Sequence, residues 1–169
     1  MGEAVQLRPC HDRPIRGMVK QENHAAGRVS SIMVGKDCIQ QAGAIPVHRG
    51  RVCLVRSSSG KRWVIPKGHV EPGHSAGETA LLEAWEEAGL TGRLTPDPVG
   101  SYCYEKFGQT YHVTVFLMHV HEVAAVWPEA GRRARRWEPT AWACDLIDDA
   151  ALQHLMREIL AERALHVPA

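Results

Sequence analysis

The stretch between Pro66 and Leu90 constrains the fold more than any other, because it predicts a loop, a helix and a stop in succession. Ser75 and Glu78 form the pattern of a capping box, in which both side chains accept hydrogen bonds from backbone N–H groups at the start of a helix. Gly89 suits the left-handed residue that ends a helix. The sequence therefore predicts one helix with defined ends between Ser75 and Gly89.

Three carboxylates share one face of this predicted helix. Glu83, Glu86 and Glu87 stand at positions i, i+3 and i+4, which a helix places side by side. Like charges this close repel unless cations hold them, and a cluster of oxygen ligands suits Mg²⁺ or another hard divalent ion. A solvated acidic surface is the ordinary alternative. A glycine-rich loop containing Lys67 precedes the helix and favours a metal and phosphate site.

The other face of the helix is predicted to pack on a sheet. It carries Leu81, Ala84, Trp85 and Ala88, which lie roughly opposite the carboxylates. This arrangement would present the acids outward, away from the core.

The same stretch resembles the signature box of the Nudix hydrolases, written G-x5-E-x7-R-E-U-x-E-E-x-G-U, where U is a bulky aliphatic residue. On this chain the box begins at Gly68, and its remaining matching positions are Glu83, Glu86, Glu87, Gly89 and Leu90. The family Glu of G-x5-E falls on His74, the family Arg falls on Leu82, and Ala84 stands where a larger aliphatic residue is usual. The resemblance implies that the lost Glu and Arg form a structural brace between loop and helix. Losing both leaves neither charge unpaired.

Composition sets the limits within which this resemblance applies. At 169 residues with 44% hydrophobic content, the chain predicts one globular domain with a sizeable core. A net charge of +1 implies no global attraction to nucleic acid or membrane, so any electropositive site has to be local. The five cysteines, an odd number without C-x-x-C spacing, argue against a disulfide scaffold and a zinc site, which makes the reducing cytoplasm the default location. No apolar run approaches the roughly 18 residues of a membrane span.

Residues 1–38 are polar and lack sustained periodicity, which predicts a flexible N-terminal tail before a Nudix domain at 39–166. Apolar spacing between 146 and 160 predicts a second, C-terminal helix. Short apolar runs broken by turn residues predict strands at 42–47 and 52–55, which form a hairpin, at 62–65, 100–104 and 111–121, and near Trp142. These elements make a mixed α/β sandwich, and the resemblance implies the Nudix fold, a mixed β-sheet between helices.

The resemblance extends beyond the box, over roughly residues 41–159. Outside the box, the chain is similar to the branch that includes diphosphoinositol polyphosphate phosphohydrolases and diadenosine polyphosphate hydrolases. The segments that carry this similarity are Ser57–Ser59, Arg62–Pro66 and Trp127–Glu129, followed by an arginine-rich run and Trp137. This similarity implies hydrolysis of a phosphoanhydride bond, with Mg²⁺ or Mn²⁺ as cofactor. The substrate would be a diphosphoinositol polyphosphate, a dinucleoside polyphosphate or a nucleoside diphosphate-linked compound.

The resemblance also implies roles for particular residues. Glu83, Glu86 and Glu87, with the Gly68 carbonyl, would hold the divalent ions that activate a water for attack on phosphorus. One carboxylate should orient or deprotonate that water. Glu86 and Glu87 are both candidates for this general base, and Glu105 is a less favoured one.

Substrate phosphates require cationic and polar partners. Lys67 adjoins the predicted metal loop, and Arg56 and Arg62 bracket the serine-rich loop that contains Ser58. The basic surface for a polyphosphate could be extended by the run Arg132, Arg133, Arg135 and Arg136. For each arginine the alternative is an ordinary exposed or solvated charge.

Other suggestive side chains have simpler explanations. His119 and His121 face the same side of a strand, but no third metal ligand is evident nearby, so they are interpreted as an ordinary strand face. His74 is interpreted as a polar loop residue, or as a partner of Glu71 or Glu78. A cluster of aromatic residues is expected to pack in the core: Tyr102, Tyr104, Phe107 and Tyr111.

The partner expected for this chain is a small phosphorylated molecule. No membrane contact is expected, nucleic acid is disfavoured, and the chain is predicted to be a monomer or homodimer. Two alternatives stay open: a non-catalytic Nudix domain that binds a phosphorylated ligand, and an RNA-end pyrophosphohydrolase that uses the arginine run to follow the backbone.

Overall fold

The computed structural model describes residues 38–164, with the side chains of 162–164 excepted. The predicted N-terminal tail therefore lies outside the described residues except for Cys38, and so do the last two residues of the predicted domain, 165 and 166. The strands are β1 Ile39–His48, β2 Arg51–Arg56, β3 Trp63–Val64, β4 Lys67–His69, β5 Leu90–Leu94, β6 Gly100–Lys106, β7 Gln109–Val123 and β8 Arg135–Pro139. The helices are α1 Ala76–Ala88, α2 Thr140–Ala143 and α3 Ala150–Ala164, with a 3₁₀ turn at Cys144–Leu146.

One mixed sheet organises these elements. Its strands run in the order β3-β2-β1-β7-β5, while β4 pairs with β1, β6 with β7 and β8 with β2. The central pair, β1 and β7, is parallel, from Ile39 opposite Tyr111 to Val47 opposite His119. Parallel neighbours need a long crossover connection, and the chain between β1 and β7 contains α1.

The central strands are buried on both faces. In β7, Val113, Val115 and Leu117 pack in the core beneath α2 and α3, while Phe116 and Met118 pack in the core beneath α1. This division follows from the alternation of side chains along a strand. The sheet thus lies between helices, and the predicted fold class is confirmed.

Two tight turns set the hairpins. The predicted β1–β2 hairpin is present, and both of its turn residues, Arg49 at φ 48° and Gly50 at φ 73°, adopt positive φ. The β6–β7 hairpin closes in the same way, with Phe107 at φ 51° and Gly108 at φ 71°. Two-residue turns of this kind match the right-handed twist of paired strands. The β6–β7 connection is therefore shorter than the predicted loop, and the strands are longer.

The predicted strand near Trp142 is wrong, because that residue lies in α2. The strand comes earlier, as β8, which pairs antiparallel with β2 from Arg51 opposite Pro139 to Val55 opposite Arg135. The sequence of β8 is rich in arginine and lacks the apolar pattern that predicts a strand, because a strand at a sheet edge needs few apolar side chains. β4 and β5 were also not predicted, and the strand predicted at 62–65 is reduced to Trp63–Val64.

Helix α1 has the predicted ends. Ser75 is the N-cap, its hydroxyl accepts from the Glu78 N–H, and the Glu78 carboxylate accepts from the Ser75 N–H in return. Gly89 ends the helix in the left-handed conformation at φ 65°. The capping box and the glycine stop are confirmed.

The predicted packing face of α1 is only half correct. Ala84 and Ala88 are buried together with Ala80, but Leu81 and Trp85 are 37% and 38% exposed. Small side chains let the helix backbone approach the sheet closely, so the stripe at i, i+4 and i+8 is alanine and the larger apolar residues lie at its edge. The rotation of the helix that this requires also buries Glu87, which contradicts the expectation that all three acids face outward.

Candidate active site

A cleft of about 520 Å³ opens where α1 and the loop before it meet β1, β6 and β7. One wall is acidic and carries all three predicted carboxylates of α1. Cationic and polar side chains from other elements line the same cleft. Most of the predicted site residues line this one space: Ser58, Arg62, Lys67, Gly68, Glu83, Glu86, Glu87 and Arg133.

Gly68 and Glu83 make a close approach that a side chain would prevent. A Cβ built on Gly68 would lie 1.7 Å from Oε1 of Glu83 and 2.2 Å from its Cδ. The Glu83 carboxylate therefore lies against the backbone of β4, beside the peptide whose carbonyl is the predicted further ligand. This explains physically why the box begins with glycine on this chain.

Glu87 is buried and paired. Its Oε1 lies 2.7 Å from Nη2 of Arg133, and its Oε2 accepts a 3.3 Å hydrogen bond from the backbone N–H of Lys67. Burial raises the pKa of Glu87 to about 7, with Arg133 opposing the rise and Glu83 adding to it. Burial also raises the pKa of Glu83, and the nearby Glu86 carboxylate adds to that rise. The acidic wall is thus costly to ionise without added cations.

Lys67 is held in place by neighbours that the sequence did not indicate. Its Nζ donates to Oε1 of Gln41 at 3.2 Å and to the Tyr104 hydroxyl at 3.1 Å, and it lies 4.7 Å from the centroid of the Tyr104 ring. The Tyr104 hydroxyl in turn donates to Gln41 at 2.8 Å. Burial lowers the pKa of Lys67 to about 8, although the Glu87 carboxylate opposes the change.

The aromatic side chains divide between core and cleft. Tyr102 is buried, as expected. Tyr104 and Tyr111 instead line the cleft as a stacked pair, with ring centroids 4.9 Å apart and an interplanar angle of 6°. Phe107 is 91% exposed at the tip of the β6–β7 hairpin. Core packing was therefore the wrong expectation for Phe107 and Tyr111, whereas the half-buried Tyr104 both packs against the core and lines the cleft.

Two predicted substrate-binding arginines do not reach the cleft among the described residues. The guanidinium of Arg56 lies 4.1 Å from the Trp63 ring centroid and donates to the Lys61 carbonyl. Arg136 is ion-paired with Glu138 on its own strand. Each arginine is engaged by a local partner, so this part of the prediction is not supported by the geometry.

Glu129 is a carboxylate of the cleft that sequence reasoning missed. It lines the cleft and is ion-paired with Arg133, so that this arginine lies between Glu129 and Glu87. The i, i+4 spacing of Glu129 and Arg133 was the available signal. Glu105, a less favoured candidate base, is exposed on β6 and does not line the cleft.

His74 and Leu82, the two departures from the box, both line the cleft and are both exposed. In the family, a Glu and an Arg at these two positions would form a brace. His74 and Leu82 cannot form an ion pair in its place, because leucine carries no charge. His119 and His121 are exposed on β7, consistent with an ordinary strand face.

The acidic groups of the cleft are chemically suited to bind a hard divalent cation. Its acidic side chains and the Gly68 carbonyl offer only oxygen, and Gly68 leaves the space that the Glu83 carboxylate uses. Within residues 38–164, no three Asp, Glu, His or Cys side chains are already grouped closely enough to hold a metal ion. Glu87 is engaged by Arg133 instead.

This combination of fold and site defines a known class of protein. The model of the NUDIX domain matches residues 40–161 of this chain. The chain belongs to the Nudix family, and the resemblance read from its box is confirmed.

Individual relatives are more distant. Nudix hydrolase 13, mitochondrial, from Arabidopsis thaliana is 30% identical over 120 residues, which cover 65% of this chain and 59% of the relative. An asymmetrical bis(5'-nucleosyl)-tetraphosphatase from Sus scrofa is 54% identical over only 44 residues, 25% of this chain and 30% of that protein. The crystal structure of a C. elegans Ap4A hydrolase shares the fold, with a TM-score of 0.64 and 23% identity over 75% of this chain and 99% of that one.

The chain spans only part of the curated relatives it matches, 59% and 48% of the length of two from Arabidopsis thaliana. Over the described part of the chain, no helix is both long and apolar enough to cross a membrane.

Proposed function

We propose that the protein is a metal-dependent pyrophosphohydrolase that cleaves a phosphoanhydride bond in a dinucleoside polyphosphate. One observation carries this proposal: a single cleft combines an acidic helix face with cations from other elements. Glu83, Glu86 and Glu87 supply the acidic side, and Lys67 and Arg62 supply charge that suits phosphate. Phosphoryl transfer depends mainly on positioning and electrostatic stabilisation, which such a cleft provides.

The acidic side chains would hold Mg²⁺ or Mn²⁺, together with the Gly68 carbonyl. When bound, the cation would supply charge neutralisation for the phosphates and activation of a water. Glu86 or Glu87 would orient or deprotonate the attacking water. Glu87 is buried and fixed by two partners, which favours a role that requires a set position.

Lys67 is proposed to contact substrate phosphate. Gln41 and Tyr104 hold its ammonium group within the cleft, so little side-chain entropy remains to be lost on binding. Arg62, Ser58 and Arg133 line the same cleft and are proposed as further contacts.

The substrate proposal draws on similarity as well as on charge. The similar pig protein is named a bis(5'-nucleosyl)-tetraphosphatase, and the nematode structure with the shared fold is an Ap4A hydrolase. Diadenosine polyphosphates are therefore the first substrates to test. Diphosphoinositol polyphosphates and nucleoside diphosphate-linked compounds complete the predicted substrate class.

The direct test is turnover of diadenosine tetraphosphate with Mg²⁺, with Mn²⁺ and with EDTA, for the wild type and for Glu86→Gln and Glu87→Gln. Removal of a general base costs about 10²- to 10⁴-fold in rate, so at least one variant should lose that much activity. Glu122→Gln, at an exposed position on β7, is the matched control and should retain wild-type rates. Turnover that is unaffected by EDTA, or by both active-site substitutions, would rule out the proposed mechanism.

A second candidate is a non-catalytic domain that binds a phosphorylated ligand. The ion pair between Glu87 and Arg133, and the replacement of the box Glu and Arg by His74 and Leu82, favour it. Tight binding of a polyphosphate without turnover across the predicted substrate class would support this candidate. Efficient cleavage of any one of these compounds would exclude it.

The RNA-end alternative loses its main support. Arg133 and Arg135 turn inward to ion-pair and hydrogen-bond with α1, and Arg136 is ion-paired with Glu138. Three of the four arginines of the run are therefore engaged within the protein rather than free to follow a nucleic-acid backbone. A cytoplasmic location and a monomeric or homodimeric state remain predictions from the sequence.

A further inference from the structure

The last turn of α1 is held from outside the helix. The final carbonyls of a helix have no partner within it, and the Gly89 N–H reaches only as far as those of Ala84 and Trp85, the latter at 2.8 Å. The following carbonyls accept from one distant segment. The backbone carbonyl of Glu86 accepts a hydrogen bond from the Glu129 N–H at 3.0 Å. The backbone carbonyl of Glu87 accepts one from Nε1 of Trp127 at 3.1 Å.

Arg135 completes this set of contacts. Its Nη1 donates to the Ala88 carbonyl at 2.6 Å and its Nη2 donates to the Ala124 carbonyl at 2.7 Å. The guanidinium also lies 4.1 Å from the ring centroid of Trp127, so the two side chains support each other. α1 has no basic residue in its own last turn, and Arg135 supplies the positive charge that favours a helix C-terminus.

The fit between Trp127, Arg135 and the end of the helix is tight. A Cβ built on Gly89 would lie 2.7 Å from Cβ of Trp127 and 3.1 Å from Nη1 of Arg135. Glycine is therefore required here both by its positive φ and by the closeness of these side chains.

The two residues whose backbone carbonyls are held in this way, Glu86 and Glu87, are the carboxylates proposed for the chemistry. We propose that Trp127 and Arg135 are positioning residues for the reaction: by fixing the last turn of α1, they set where the Glu86 and Glu87 carboxylates stand in the cleft. This inference rests on the proposed function, and neither Trp127 nor Arg135 lines the cleft itself.

Two conservative variants test the proposal. Trp127→Phe removes the Nε1–H donor and keeps a ring for Arg135 to stack on. Arg135→Lys keeps the charge but loses the planar fork that reaches two carbonyls at once. Ile159→Val, in the core on the other side of the sheet, is the control for a purely structural loss.

The measurements are the melting temperature, kcat and KM for diadenosine tetraphosphate, and Mn²⁺ affinity by electron paramagnetic resonance, which does not require turnover. Groups that orient metal-binding residues cost about 10- to 100-fold in metal affinity or activity when removed. We expect losses of that size in kcat and in Mn²⁺ affinity for both variants, with KM almost unchanged. Ile159→Val should lower the melting temperature and leave kcat and Mn²⁺ affinity unchanged.

If the wild type is active but Trp127→Phe and Arg135→Lys match Ile159→Val in kcat and Mn²⁺ affinity, the positioning role is overturned. The proposed function then still stands. A wild type that neither hydrolyses the substrate nor binds Mn²⁺ would overturn the proposed function, and the positioning role with it.

Discussion

Replacement of Gly68 by alanine tests the most confined contact in the cleft. The added methyl group would lie 1.7 Å from Oε1 of Glu83, half of the 3.4 Å at which ordinary contacts begin, so the carboxylate has to move away by about as much again. A misplacement of about 1 Å can cost about 100-fold in rate. We therefore expect kcat to fall by about two orders of magnitude.

Stability should change much less than activity. Gly68 does not have a positive φ, so alanine is compatible with its backbone, and Glu83 lies at the edge of a cleft into which its side chain can swing. Overpacking costs about 1–3 kcal/mol in a filled core, and we expect the low end of that range here. Gly77→Ala is the matched control on α1, because its methyl group would make only ordinary contacts, at 3.7 Å to Leu94 and 3.9 Å to Phe116.

The assay is steady-state hydrolysis of diadenosine tetraphosphate, combined with urea unfolding of each variant. A double-mutant cycle identifies the cause: if alanine at Gly68 acts by displacing Glu83, adding it to Glu83→Ala should lower kcat little further. Full activity in Gly68→Ala would refute the reasoning, and so would an undiminished loss in the Glu83→Ala background.

Three further predictions concern packing and ionisation. Ala84→Leu should destabilise the protein by about 1–3 kcal/mol through overpacking, while Leu81→Ala should stay within about 0.5 kcal/mol; urea unfolding with the reverse order would contradict the rotation of α1. The Cys53 thiol, whose pKa burial raises to about 12, should resist alkylation at pH 8 in the native protein and react after denaturation; peptide mapping that finds it modified in the native state would disprove this. In EDTA, the raised pKa of Glu87 should make the unfolding free energy fall as pH rises from about 4.5 to about 7, because the folded state binds the proton more tightly than the unfolded state. The Glu87→Gln variant should show a smaller fall. Equal pH profiles for the two proteins would argue against the raised pKa.

Local sequence signals predicted the parts of the fold that depend on neighbours in the chain. The ends of α1 follow from Ser75, Glu78 and Gly89, whose partners lie within one helical turn. The β1–β2 hairpin follows from a turn with glycine between two apolar runs. The strand β8 was missed because its pairing with β2 joins residues far apart in the sequence, and its own composition is basic.

The candidate site divides in the same way. The i, i+3, i+4 spacing was sufficient to bring Glu83, Glu86 and Glu87 to one cleft, but it did not show that Glu87 would be buried. The prediction for Arg56 depends on its place beside the serine-rich loop, and the prediction for Arg136 on its place in the basic run. Their aromatic and acidic neighbours, which hold them elsewhere, became visible only in the folded structure.

By itself, the sequence determined a capped helix with three acids at one spacing, a glycine at each end of the box, and the family to which they belong. Those features depend on contacts within a few residues of one another. Only the tertiary structure decided how α1 is rotated on the sheet, that Gln41 and Tyr104 hold Lys67, and that Trp127 and Arg135 fix the end of the acidic helix. Each of these contacts joins residues more than 20 positions apart, and their pairing depends on how the sheet packs against the helices rather than on any local pattern.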